Sequence, residues 1–212
     1  MPGQGTRRGS DPSLAEPDLA GDFKKSIAGS GVILAADEVG FMMMPSVKKT
    51  WAPIGQTPLV HYRNRHRRKV SVLGAVALQP ATGGFQLVCD FYPDSYVRSE
   101  QCASFLHRLL AEYPQGPIDL IWDNLAAHKS PIVKEVLAEH PRLTLHYLPP
   151  YSPDLNPAEG IWSLAKYHRM ANHNIDELDL LHQEAARHLH DIGENQSLLR
   201  SCFQGAGLVT AL

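Results

Sequence analysis

Cysteine is scarce. Three residues, Cys89, Cys102 and Cys202, are spread through 212 with no close pair. That excludes a disulfide framework and a cysteine-based zinc finger, and it fits a reducing compartment. Long apolar runs are also missing. None approaches the ~20 residues needed to span a bilayer, and the first residues carry no apolar segment that would direct secretion. Neither sign of charge dominates, with 20 Lys+Arg against 22 Asp+Glu. A general basic coat for nucleic acid is therefore unsupported, and any such contact must come from a local patch. Neither a P-loop nor a GxGxxG fingerprint occurs. Eleven histidines are present, but the densest group (His182, His188, His190) lacks the HExxH spacing and reads as helix-surface histidine.

What remains is ample material for one core. Hydrophobic residues make up 43% of the chain, which rules out a wholly disordered or fibrous protein. Residues 1–30 are rich in Gly, Pro, Ser and charge, with no apolar period, and read as a flexible leader. Residues 31–212 read as one domain. GVILAADEVG is a short apolar run ending in two carboxylates, which suits a buried strand. Lys69–Leu78 is β-rich, PATGG supplies turn chemistry, and Phe85–Tyr92 is the returning strand of a hairpin.

Helices and strands then alternate. Ser99 can cap a helix with Cys102, Phe105, Leu106, Leu109, Leu110 and Tyr113 at 3–4 spacing. A strand over 117–124 follows. Ser130 and Pro131 open a second helix, and a strand runs over 142–149. A loop rich in Pro, Tyr, Ser and Asp leads to a helix from Asn156 to about Met170. A last helix spans about Ile175–Ile192. Strand–helix–strand units favour right-handed crossovers and parallel pairing. The expected fold class is α/β, a mixed sheet with helices on both faces.

Three acids sit at element ends in this scheme. Asp37 ends the first strand, Asp123 ends the strand IDLIWDN, and Glu159 lies in the first turn of the helix after the Pro-rich loop. Ligands of open α/β sheets bind outside the carboxyl edge. Three carboxylates meeting there repel one another unless a cation sits among them. An all-oxygen set suits Mg²⁺ or Mn²⁺. Two such ions, about 4 Å apart, would serve in-line displacement at phosphorus. Each acid alone also fits a structural role. Glu159 stands three residues after Asn156 as in a capping box, Asp123 beside Asn124 fits a turn, and Asp37 with Glu38 fits a solvated strand end.

Four segments carry a family likeness. DEVGF (37–41), TWAPIGQTP (50–58), WDNLAAH (122–128) and LPPYSPDLNPAEGIW (148–162) together resemble the catalytic domain of bacterial mariner-superfamily insertion-sequence transposases, the DDE type. The likeness runs from about Val32 to Leu208. It implies a ribonuclease-H-like, five-stranded mixed sheet, and a catalytic, metal-binding triad of Asp37, Asp123 and Glu159. Thirty-five residues separate the last two, in keeping with that family. The implied reaction is metal-dependent cleavage at transposon ends, then attack of the freed 3′-hydroxyl on target DNA. A TA target preference and a homodimer that synapses two ends are implied by the resemblance alone. Such transposases also carry an N-terminal helix-turn-helix that binds the ends. The first 30 residues do not hold one, so the expectation is a catalytic half, either one reading frame of a split element, with a separately encoded helix-turn-helix half as partner, or a truncated copy. Its expected location is the cytoplasm, on the nucleoid when bound to DNA. The alternatives are a catalytically silent DNA- or partner-binding remnant and a structure-selective nuclease.

DNA contacts are read from one dense basic run, Arg63, Arg65, Arg67, Arg68 and Lys69, with Trp51 available to stack on a base. The same run also fits a solvated hairpin tip. His128 and Lys129 follow Asp123 closely. His128 fits either a phosphate- or water-orienting role or a packing one.

Overall fold

A computed structural model of the chain describes residues 31–44, 46–56, 58–59, 68–150 and 152–208. The expected leader and Arg63, Arg65 and Arg67 lie outside these described residues. In chain order the elements are β1 (Val32–Met42), β2 (Lys69–Gln79), β3 (Gly84–Pro93), α1 (Ser99–Glu112), β4 (Ile118–Trp122), α2 (Pro131–Glu139), β5 (Leu143–Tyr147), α3 (Pro157–Ser163), α4 (Leu178–Gly193) and α5 (Gln196–Gly205). No described helix is long and apolar enough to cross a membrane.

The five strands form one sheet in the order β3-β2-β1-β4-β5. β1, β2 and β3 form an antiparallel meander, and β4 and β5 run parallel to β1. This is the mixed α/β sheet that the strand and hairpin signals imply. Period-two alternation sorts β1 onto two faces. Ile33, Ala35, Val39 and Phe41 pack with Ile161 and Trp162 of α3, Leu181 and Leu189 of α4, and Phe203 of α5. Leu34 and Ala36 pack with Phe105, Leu106 and Leu109 of α1 and Val133 of α2. Both faces of the central strands are thus dry, which explains the unbroken apolar reading of KVSVLGAVAL.

Local details depart from the sequence reading. The N-cap of α1 is Arg98, not Ser99; Gln101 Oε1 accepts from the Arg98 backbone N–H at 3.0 Å. Ser130 precedes α2 but makes no capping hydrogen bond with its side chain. The helix expected to reach Met170 is α-helical only to Ser163 and then widens into a π-turn over Leu164–Arg169. The last expected helix is followed by another, α5, capped by Asn195, whose side chain accepts from Leu198 N. His188 is buried rather than on the helix surface.

Candidate active site

The site forms where β1 outlasts its parallel neighbour. β1 pairs with β2 as far as Met42↔Lys69, but with β4 only as far as Ala35↔Ile121. Asp37 therefore lies in mid-strand and does not end it. The expectation missed this because β2 keeps the strand extended after β4 has turned away. Asp37 and Asp123 each stand two residues beyond that last parallel pair, so they emerge at one level. Past β5 the chain turns through a Pro-rich segment into α3, whose first turn carries an exposed Glu159. Asp37, Asp123 and Glu159 line one cleft of about 460 Å³, with Pro149, Pro153 and Asn156 among its other walls.

The electrostatics of this cleft are unfavourable to anions. Asp37 is pushed up to about 7, first by burial and then by the charge of Glu159, with Glu38 and Asp123 adding to it. The Glu38 backbone N–H opposes the shift by donating to Asp37 Oδ1 at 2.8 Å. Trp162 Nε1 donates to Asp37 Oδ2 at 3.0 Å. A ligand oxygen from each of Asp37, Glu38 and Asp123 lies within 4.8 Å of the others. A buried carboxyl group with further carboxylates beside it is held towards its neutral form and is favoured as an anion only when a cation joins it. The donors facing the cleft are hard oxygens, so the residues fit Mg²⁺ or Mn²⁺ better than a soft metal.

His128 binds two of these acids together. Its side chain is fully buried and stacks on Trp122 at 3.8 Å. Nδ1 lies 2.7 Å from Asp123 Oδ1, and Nε2 lies 2.8 Å from Glu38 Oε1. Burial opposes its charge, but hydrogen bonds to Asp123, Cys102 and Glu38 outweigh that and push it up to about 12. An imidazolium facing a carboxylate at each nitrogen is the consistent reading. So enclosed a ring does not reach a DNA phosphate. Of the two readings open for His128, the structure places it in the packed interior.

The other residues expected at DNA are dispersed. Lys129 is exposed, with Nζ 4.9 Å from the Tyr147 ring centroid. Trp51 is 100% exposed, so its indole is free to stack. Arg68 pairs with Asp94 at 3.1 Å, and Lys69 Nζ sits 3.6 Å from the Tyr96 ring centroid. Lys69 lies five ladder positions from Asp37 on the β1–β2 pair, about 17 Å at ~3.4 Å per residue. The described end of the basic run is thus well removed from the carboxylates. Trp162, Asn156 and Gly74 also lie close about Asp37; the sequence reads Asn156 only as a helix start and Trp162 only within the segment 148–162, and gives none of the three a part in the site. Glu38, given no metal role in the sequence reading, lies within the acidic group.

Comparison with known proteins bears on this geometry. Residues 32–182 match the family model described as DDE superfamily endonuclease. The chain is 29% identical over 143 residues to the "Insertion element IS630 uncharacterized 39 kDa protein" of Shigella sonnei, covering 67% of this chain and 40% of that protein. It therefore spans less than half the length of this curated relative. Among solved structures it is similar to the Mos1 transposase paired-end complex with left transposon end, with a TM-score of 0.54 and 19% identity over 94% of this chain and 67% of the other. The Mos1 mariner paired end complex with Mn gives a TM-score of 0.54 at 20% identity, over 89% and 59% of the two chains. The corresponding complex with Mg gives 0.51 at 21% identity, over 96% and 66%. At these identities the likeness establishes the fold, the ribonuclease-H-like sheet implied by the four segments.

Proposed function

We propose, from the premise that the chain belongs to the DDE superfamily of endonucleases, that it hydrolyses a phosphodiester at transposon ends and that the freed 3′-hydroxyl then attacks a phosphodiester of target DNA, joining the two and displacing the target's 3′-oxygen. Asp37, Asp123 and Glu159 are the catalytic triad of this reading. The observation that carries it is the convergence of three carboxylates from three separate elements on one cleft, with Asp37 pushed up to about 7 by its burial and then by the charge of Glu159. Two divalent ions held there would neutralise the scissile phosphate and acidify the attacking hydroxyl. The protein's own part is to hold three oxyanions at fixed separation and to release the Asp37 proton as the site fills. His128 holds Glu38 and Asp123 Oδ1 alike, but of these acids it is Asp37, Asp123 and Glu159 that line the cleft.

This reading has a pH signature. Asp37 carries its proton below about pH 7, so ion binding there displaces one proton. Half-activation should require about tenfold more Mg²⁺ for each pH unit below 7, and no more above it. Metal titrations of DNA nicking at pH 6 and 8 measure this. Equal midpoints would remove Asp37 from the ligand set.

The basic run and its neighbours supply the DNA contacts of this reading. Arg63, Arg65, Arg67, Arg68, Lys69 and Lys129 would hold backbone phosphates, and Trp51 would stack on an unpaired base. Replacing Arg65, Arg67 and Arg68 by Ala should weaken DNA binding. It should also reduce the slope of log K against log salt by about 0.9 per lost phosphate contact. Unchanged binding in a low-salt mobility shift would remove this assignment. A homodimer that brings two ends together completes the proposal, and sedimentation with end DNA tests it.

A further inference from the structure

We propose that Asn156 and Trp162 are positioning residues that set the spacing between Asp37 and Glu159 by tying α3 to β1 at two points. The inference rests on the metal-site reading above. Asn156 and Trp162 stand three residues before and three residues after Glu159. α3 has seven residues and contains Gly160. A helix that short has little stability of its own, so its place is set by what it touches.

Asn156 is buried, at 5% exposure, and its two side-chain atoms do different work. Oδ1 accepts from Ala158 N at 3.1 Å, the N-cap bond of α3. Nδ2 donates to Ala36 O at 3.0 Å. Ala36 lies just past the last β1–β4 pair, where β1 has lost its strand neighbour on that side. The amide therefore caps the helix and also takes a place that β4 has vacated.

Trp162 makes the second tie. It is 3% exposed, and its Nε1 holds Asp37 Oδ2 while the Glu38 N–H holds Oδ1. The carboxylate is thereby fixed in rotation. The indole lies against Gly74, the residue directly across the ladder from Asp37. A Cβ on Gly74 would stand 2.6 Å from Trp162 Cη2 and 3.2 Å from Cζ2. Only glycine at that position lets the indole reach the acid. Between the two ties, Glu159 alone points to solvent. Partners that orient ligand carboxylates fix the metal geometry as surely as the ligands do.

Two conservative variants separate this role from capping and packing. Asn156→Ser keeps a capping oxygen but is too short to reach Ala36 O. Trp162→Phe keeps a buried aromatic ring but has no N–H. Mn²⁺ binding to the whole chain is measured by EPR titration at pH 8 without DNA, beside Tm and Mn²⁺-dependent nicking. Each variant is expected to raise the Mn²⁺ dissociation constant about tenfold or more. The nicking midpoint in Mn²⁺ should rise in parallel, with Tm moved by only a few degrees. Wild-type Mn²⁺ affinity in both variants, with affinity lost in Asp37→Asn, would overturn the proposal and leave the two residues as cap and core. Wild-type affinity in Asp37→Asn as well would overturn the metal-site reading itself, and this proposal with it.

Discussion

Asp123→Asn is expected to slow nicking of supercoiled DNA in Mg²⁺ by about three orders of magnitude, with the fold unchanged. The size follows from what the second carboxylate supplies. Charge neutralisation of a phosphoryl transition state contributes several kcal/mol, and about 4 kcal/mol corresponds to roughly a thousandfold in rate. The fold should survive because the amide keeps the oxygen that matters locally. Asp123 Oδ1 accepts from Leu125 N at 3.2 Å and faces His128 Nδ1 at 2.7 Å. An asparagine Oδ1 can take both. The lost charge is shared between the cleft and His128, and the ring keeps Glu38 as its remaining carboxylate partner. A gel assay on supercoiled plasmid, with CD spectra of both proteins, decides the matter. Equal nicking by variant and wild type would assign the cleavage to another nuclease in the preparation and sink the triad.

Asp123 was legible in the sequence because it ends an apolar run with a turn residue behind it. Glu159 was legible because a Pro-rich loop and a helix start bracket it. Asp37 was found, but its place in the strand was misread. How far β1 runs is decided by β2, whose pairing continues to Met42↔Lys69, and no local pattern announces a partner 27 residues away. The ties from Asn156 to β1 and from Trp162 to Asp37 span 120 and 125 residues and leave no periodic trace. Gly74 in KVSVLGAVAL reads only as a weak point in a strand, until Trp162 is seen to fill the space. The role of His128 was undecidable from WDNLAAH, since a phosphate ligand and a buried clamp look alike in sequence. α5 did leave a signal, Asn195 before Leu198, Leu199, Cys202 and Phe203 at helical spacing, which the preceding helix obscured.

The largest stability effect should come from His128→Ala. The substitution removes the cation between Glu38 and Asp123 and leaves an imidazole-sized void under Trp122. Breaking a buried ion pair typically costs about 3–5 kcal/mol. Asp123 is 37% exposed and Glu38 20%, so solvent shields part of the loss. The lower end, about 3 kcal/mol, is expected, which for a domain of this size is roughly 6–12 °C in Tm. The pH dependence fixes the mechanism. In the unfolded chain the ring titrates at its ordinary 6.5, whereas in the fold it is pushed up to about 12. A raised value stabilises the fold most below pH 6.5, and that contribution declines steadily as pH rises towards 12. The Tm gap between wild type and His128→Ala should therefore be widest at pH 6 and narrow through pH 9. A gap that does not narrow would mean that the ring stabilises by packing on Trp122 alone. Glu38 would then lie free beside Asp37, and the ligand set of the cleft would have four carboxylates instead of three.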